Sequence, residues 1–343
     1  MQDVKEAPLM RAAVDVGHYA VKAYAGSSLV FPALIAPAPP TVDLGPLGGR
    51  DPCIIVREDG ADAASYWIGD AAQHLAAPVW TRDKGADPWS RVLLYESLRR
   101  LGLPSGSVAV AVGLPLGWFA SHRAALEKSL LGRRVSLESG GIQHRWTITA
   151  VRVLPQGVAA ALTAIKQGLV PVAGLYALVD VGYRTVDVVV LAVDDAGRPH
   201  GRPQWSTTLD LGWHVIDSAV IRGLRAQYPG ADFLPAQVQG SHLTVFGQSV
   251  NLRRWQEPAV RSLGQRITSA VQTNLGDIWA QLEGVILVGG GAVAIHEALQ
   301  WDGLSVRVAD QPTFANVLGY WDALQGVTGP PAPSHGLRSI GPV

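Results

Sequence analysis

A single cysteine, Cys53, among 343 residues excludes an internal disulfide and leaves no Cys/His metal cluster. Charge is scarce too: 16% of residues are charged and the formal net charge is zero. That balance gives no broad electrostatic footprint for nucleic acid or an anionic membrane. Long apolar runs are missing. The longest, Leu169 to Val179, is interrupted by Pro171 and Gly174 and is too short to span a bilayer. The opening MQDVKEAPLM mixes charges and lacks the apolar centre of a signal peptide. Neither a P-loop nor a GxGxxG pattern occurs, so the two commonest nucleotide cradles are absent. A soluble, cytoplasmic protein is expected, with neither direct nucleic-acid binding nor membrane association.

What is present is apolar and long enough for two cores: 48% of residues are hydrophobic. The first half reads as short strands at Arg11–Val16, Val21–Ala25 and Leu29–Leu34, followed by a Pro/Gly-rich loop from Pro37 to Arg50. Strands at Cys53–Val56 and Ser65–Ile68 come next, then a helix opening at Pro88. Val108–Val112 reads as a buried strand, Trp118–Leu131 as a helix and Trp146–Leu154 as a strand. A helix is expected from Gln156 to Lys166. The second half repeats the plan, with strands at Leu175–Asp180, Asp187–Val193 and Gln204–Thr208 and a helix after Gly212. Val260, Leu263, Ile267, Val271 and Leu275 recur every three or four residues, the period of an amphipathic helix. Strand Gly284–Val288 leads into three glycines and a short helix, and Pro312 opens a last helix. The Pro/Gly/Ser-rich tail is expected to be disordered.

Val14-Asp15-Val16-Gly17 recurs 165 residues later as Val179-Asp180-Val181-Gly182, each after an apolar strand and before another. The offset is nearly half the chain, which suggests a duplicated domain rather than a solenoid. A glycine in such a turn lets backbone N–H groups converge on an anion, and a strand-end carboxylate can hold Mg²⁺ through its waters. One corner alone reads most simply as a hairpin with Asp and Gly at its turn. Two corners, followed by Gly289-Gly290-Gly291 between a strand and a helix, favour a polyphosphate gripped from both sides.

These segments resemble the superfamily of actin, sugar kinases and heat-shock chaperones. DVGHYAVK (Asp15–Lys22) resembles its first phosphate motif, DVGYRTVD (Asp180–Asp187) its second, and VILVGGGA (Val285–Ala292) its adenosine motif. Within that superfamily the likeness is nearest to bacterial ParM-type plasmid-segregation actins, through VRVLPQGVAAAL, VGLPLGWF, LDLGWHVIDSAV and ANVLGY. Two departures stand out. Gln156 occupies a position where ParM has glutamate and actin glutamine. Tyr183 and Arg184 stand where the second phosphate motif usually has small residues.

The resemblance implies an α/β fold of duplicated actin-like (ribonuclease H-like) domains with a nucleotide cleft between them. Domain I would span 1–155, with 312–328 packing back on it, and domain II 156–311, leaving 329–343 as the disordered tail. It implies Mg²⁺ organised by Asp15 and Asp180, which with Gln156 form the catalytic set. Gly17 and Gly182 would give backbone donors to phosphate, and Lys22 a point charge. Gln156 would orient the attacking water, and Thr185 and Asp187 would support the second loop. Gly212, Gly289, Gly290 and Gly291 would complete the nucleotide-binding set. The function implied is a Mg²⁺-dependent ATPase coupled to polymerisation, with GTP left open. Its partners would be further copies of itself and an adaptor DNA-binding protein, for plasmid or DNA segregation. A small-molecule kinase and a non-polymerising nucleotide-binding scaffold are the alternatives. Gln156 in place of a carboxylate argues mildly against the kinase, and no appended substrate domain points to a chaperone.

Overall fold

The computed structural model describes residues 9–38, 53–73, 84, 87–299, 301 and 303–327. The expected tail, 329–343, and most of the Pro/Gly-rich loop lie outside the described residues. In chain order the first half runs β1 (Met10–Val16), β2 (Ala20–Tyr24), β3 (Ser28–Pro32), β4 (Ile35–Pro37), β5 (Ile54–Glu58) and β6 (Ala64–Ile68). Then come α1 (Pro88–Arg100), β7 (Gly106–Leu114), α2 (Leu116–Leu130), β8 (Arg134–Ser139), β9 (Ile142–Pro155) and α3 (Val158–Lys166). The second half runs β10 (Gly174–Val181), β11 (Val186–Val193), β12 (Pro199–Gly201), β13 (Thr207–Leu209), α4 (His214–Gln227), β14 (His242–Val245) and β15 (Gln248–Asn251). It closes with α5 (Arg253–Leu275), β16 (Leu282–Val288), α6 (Ala292–Ile295), β17 (Val306–Val308) and α7 (Ala315–Leu324).

The duplication suggested by the repeated corner extends to topology. The nine-stranded sheet begins β3-β2-β1-β7-β9, and the second sheet runs β12-β11-β10-β16-β17. In both, the first two neighbour pairs are antiparallel and the last two parallel. The register carries the repeat to single residues: Asp15 lies opposite Lys22, and Asp180 opposite Asp187. The central strands are buried along nearly their whole length, which explains their continuous apolar reading.

Several boundaries differ from the expected ones for local reasons. Gln204–Thr208 is not one strand: Pro203–Trp205 forms a 3-10 turn and only Thr207–Leu209 pairs with β11. Helix α3 starts at Val158 rather than Gln156, because Gly157 sits at φ +75° and turns the chain before the helix begins. Pro32 ends β3 short of Leu34. Strand β9 begins at Ile142, pairing with β8 through a turn with Gly140 and Gly141 at positive φ. Helix α1 starts where Pro88 placed it, capped by the Asp87 carboxylate, which accepts from the Trp89 and Ser90 N–H groups.

Helix α7 ties the halves together. A Cβ on Gly319 would come 2.2 Å from the Ala159 carbonyl oxygen, so glycine permits the close crossing with α3. On its other side Arg11 donates to the Leu324 and Val327 carbonyls, and the Trp321 ring meets Tyr24 edge-on. No helix among the described residues is long and apolar enough to cross a membrane.

Candidate functional site

The β1–β2 and β10–β11 corners face one cavity between the two sheets. Asp15, Gly17, Lys22, Gln156, Asp180, Gly182, Thr185, Asp187, Gly289 and Gly290 all line it. Gly212 and Gly291 do not; they stand behind its wall. A Cβ on Gly212 would come 2.5 Å from the Tyr183 carbonyl oxygen, and the Gly291 N–H donates to Val181 O at 3.0 Å. Both glycines therefore let neighbouring segments back the second corner closely.

At the first corner the Asp15 carboxylate is nearly buried and doubly engaged. Lys22 Nζ lies 3.6 Å from Oδ2, and Gln156 Nε2 donates to Oδ1 at 2.8 Å. The early turn at Gly157 leaves the Gln156 side chain outside α3 and directed at this carboxylate. At the second corner Asp180 accepts from Asn316 Nδ2 at 2.5 Å, while Asn316 Oδ1 accepts from the Gly157 N–H at 2.9 Å. One asparagine on α7 thus links the second acid to the segment that carries Gln156. Burial pushes the Asp180 carboxyl up to about 6, against the Asn316 hydrogen bond and with the Asp15 charge adding to the rise. Burial, reinforced by Asp180, pushes Asp187 up to about 7. Asp187 also spans the cleft, accepting from the Leu116 N–H at the start of α2 and from the Thr208 hydroxyl.

The two corner glycines act through shape. Their own N–H groups close the turns, Gly17 onto Asp15 O and Gly182 onto Thr185 O, each at 3.0 Å. A Cβ on Gly17 would meet Ala20 O at 2.7 Å, and one on Gly182 would meet Thr185 O at 2.8 Å. Gly289 is tighter still: its φ is +92°, and a Cβ there would come 2.3 Å from Asp180 Oδ1. Donors for an anion then fall to the turn backbone beyond each glycine.

Sequence reasoning missed His18, Tyr19, Lys84, Thr313 and Asn316, which line the same cavity. Lys84 is buried, and its ammonium donates to Val16 O; burial lowers its pKa, with Asp15 opposing. Nothing local in the sequence marks it. Tyr183 and Arg184, noted as departures, also reach the cavity. The Tyr183 ring stacks on Tyr19 across the cleft, at 5.2 Å between centroids.

Two carboxylates converging on a glycine-shaped cavity fit Mg²⁺, which takes one or two carboxylates and leaves its other positions to waters and phosphate oxygens. Asp15 and Asp180 are the residues that would hold it.

Asp217 on α4 supports the second corner. It is buried and accepts from Tyr183 Oη at 2.8 Å and Gln239 Nε2 at 2.6 Å. Burial pushes its carboxyl up to about 6 despite both donors. The folded chain then keeps a proton that the unfolded chain, near the ordinary value of about 3.9, has lost. Its stabilising share is full below about pH 4 and is lost as pH rises through about 6. Asp217→Asn is expected to flatten the fall in melting temperature between those limits. An unchanged slope in a thermal scan across pH would contradict this.

Duplicated half-sheets, paired Asp–Gly corners and a helix bridging both halves define a two-domain protein of the actin fold. Family profiles agree: residues 13–158 match the actin-like proteins N-terminal domain, and 178–301 match the C-terminal domain of the archaeal MreB-like actin homologue. The chain belongs to the actin-like superfamily. An archaeal actin homologue of Thermoplasma acidophilum is 28% identical over 326 residues, 91% of this chain and 98% of the relative. Among solved structures, a ParM filament from Clostridium botulinum superposes with a TM-score of 0.80 at 18% identity, covering 92% of this chain and 99% of that one. An archaeal actin homologue in complex with ADP gives a TM-score of 0.74 at 22% identity, with the same shares covered.

Proposed function

We propose that this chain is a Mg²⁺-dependent ATP hydrolase whose nucleotide state controls its assembly into filaments of its own copies. The observation that carries the reading is the convergence of Asp15 with Gln156, and of Asp180 with Asn316, on one glycine-shaped cavity between the sheets. An archaeal relative has been solved with ADP and a ParM relative as a filament, which supports both halves of the reading. Residues 1–155 with 312–328 would form one body and 156–311 the other. The turn backbone beyond Gly17 and Gly182 would hold the phosphates, with Lys22 adding positive charge. Thr185 would support the second turn, and the triple glycine would flank the nucleoside. Mg²⁺, held by Asp15 and Asp180, would neutralise charge developing on the phosphates. Gln156 is not basic; its amide would orient water, as glutamine does in some GTPases.

Gln156→Ala is expected to slow phosphate release by at least about tenfold, roughly 1.4 kcal/mol, with ATP affinity unchanged. A matching collapse of affinity would assign Gln156 to binding instead.

Closure of the two bodies on nucleotide would fix the relative orientation of their outer surfaces. A head-to-tail contact spanning both would then fit only the closed form and, if it does not close on itself, build an open filament. ATP can favour assembly only as far as it binds that form better. Sedimentation and negative-stain microscopy at tens of micromolar should give filaments with ATP or a slowly hydrolysed analogue and far fewer with ADP. A monomer under saturating ATP would overturn the filament half of the reading. Plasmid or DNA segregation through an adaptor is the process such a filament would serve.

A further inference from the structure

Three basic residues line the cavity among the described residues: Lys22, Lys84 and Arg184. Two belong to the first corner. Lys22 pairs with Asp15, and Lys84 donates to Val16 O, next to that corner's turn. Arg184 is the cation supplied by the second corner, two residues past Gly182. Its side chain is only 14% exposed, and its guanidinium carbon lies 5.4 Å from the centre of the Trp118 ring. Asp210, itself largely exposed, pairs with Arg184, its Oδ1 lying 3.9 Å from Nε.

The location of Trp118 matters. It sits in the first turn of α2, whose leading N–H groups cross the cleft: Leu116 donates to Asp187 and Gly117 to Thr208 Oγ1. The indole is thereby fixed against the second body, and His18 meets it edge-on. A cation over an aromatic face is held there by the ring's quadrupole. A planar fork of donors suits phosphate oxygens better than an ammonium does.

We propose that Arg184 is a further catalytic residue that places its guanidinium on the terminal phosphate of bound nucleoside triphosphate. This rests on the nucleotide reading above. In the hydrolytic step the water oxygen bonds to the γ-phosphorus and the bond to the bridging oxygen breaks. ADP leaves with that electron pair, and the water's proton passes to solvent. Negative charge on the γ-phosphoryl oxygens is what Arg184 offsets, as an arginine supplied in cis does in other phosphoryl-transfer sites. Asp15, Asp180 and Asp187 already crowd the cavity with carboxylates, so a third cation there balances charge that Lys22 and Lys84 alone do not.

The test compares wild type, Arg184→Ala, Arg184→Lys and Trp118→Ala in single-turnover hydrolysis, with ATP and ADP affinities measured on each. Arg184→Ala should lower the rate by at least about a hundredfold and remove most of the preference for ATP over ADP. ADP affinity should stay near wild type, which also reports that the variant is folded. Added guanidinium ion should restore part of the rate to Arg184→Ala, and Arg184→Lys should recover little. Trp118→Ala, which keeps the guanidinium, should lose much less. Rates for Arg184→Ala within about threefold of wild type would overturn the proposal. So would equal losses in Arg184→Ala and Trp118→Ala, or ADP and ATP affinities falling together; either would reduce Arg184 to a clasp between the bodies. Wild type that binds no ATP would instead sink the underlying nucleotide reading.

Discussion

Asp180→Asn is expected to reduce ATP hydrolysis by at least about a hundredfold, about 2.7 kcal/mol of transition-state stabilisation, while leaving the fold intact. The carboxylate is nearly buried at the end of β10, and its proposed work is to organise Mg²⁺ between the corners. An amide of the same shape removes the charge but can still accept from Asn316. Stability should not suffer, because the carboxyl is pushed up to about 6 chiefly by burial. At neutral pH the native state therefore bears the cost of a desolvated charge, which the amide lifts. Phosphate release and a thermal melt at pH 7 are the two readouts. Near-normal turnover would remove Asp180 from the catalytic set. A large fall in melting temperature would mean the carboxylate is structural.

Gly289→Val should abolish nucleotide binding and cost at least about 2 kcal/mol of stability. At φ +92° an L side chain is strained, and its first carbon would fall 2.3 Å from Asp180 Oδ1 and 2.5 Å from Val181 O. Either β16 or the second corner must move. The neighbouring Gly290→Ala is the control: a Cβ there meets nothing within 4 Å, so stability should hold. Equal effects from the two substitutions in a denaturation series would show that crowding against Asp180 is not the cause.

The corners themselves were legible because a tight strand–turn–strand keeps its residues contiguous. Val14–Gly17 and Val179–Gly182 announce the duplication, and the sheets repeat it strand by strand. Gln156 was legible through its resemblance to a known segment, while its aim at Asp15 depends on the turn at Gly157. Other parts of the site are assembled by tertiary folding. Asn316 lies 136 residues from the Asp180 it contacts, and Lys84 lies 68 residues from Val16. No periodicity or spacing can announce such pairs. Among the strands, β8 and the β14–β15 hairpin escaped notice because short, half-exposed strands carry little apolar signal. The start of the Gln204–Thr208 run is taken up by the 3-10 turn that Pro203 opens, which leaves only its end to pair as a strand.

The central claim is that both corners hold one Mg-nucleotide. A structure of the protein solved with Mg²⁺ and a slowly hydrolysed ATP analogue tests it most directly. Phosphate oxygens are expected within about 3.2 Å of backbone N–H groups in both turns, 18–19 and 183–185, with the ion beside Asp180 and Asp15. A nucleotide bound elsewhere, or phosphates held by one corner alone, would contradict the account.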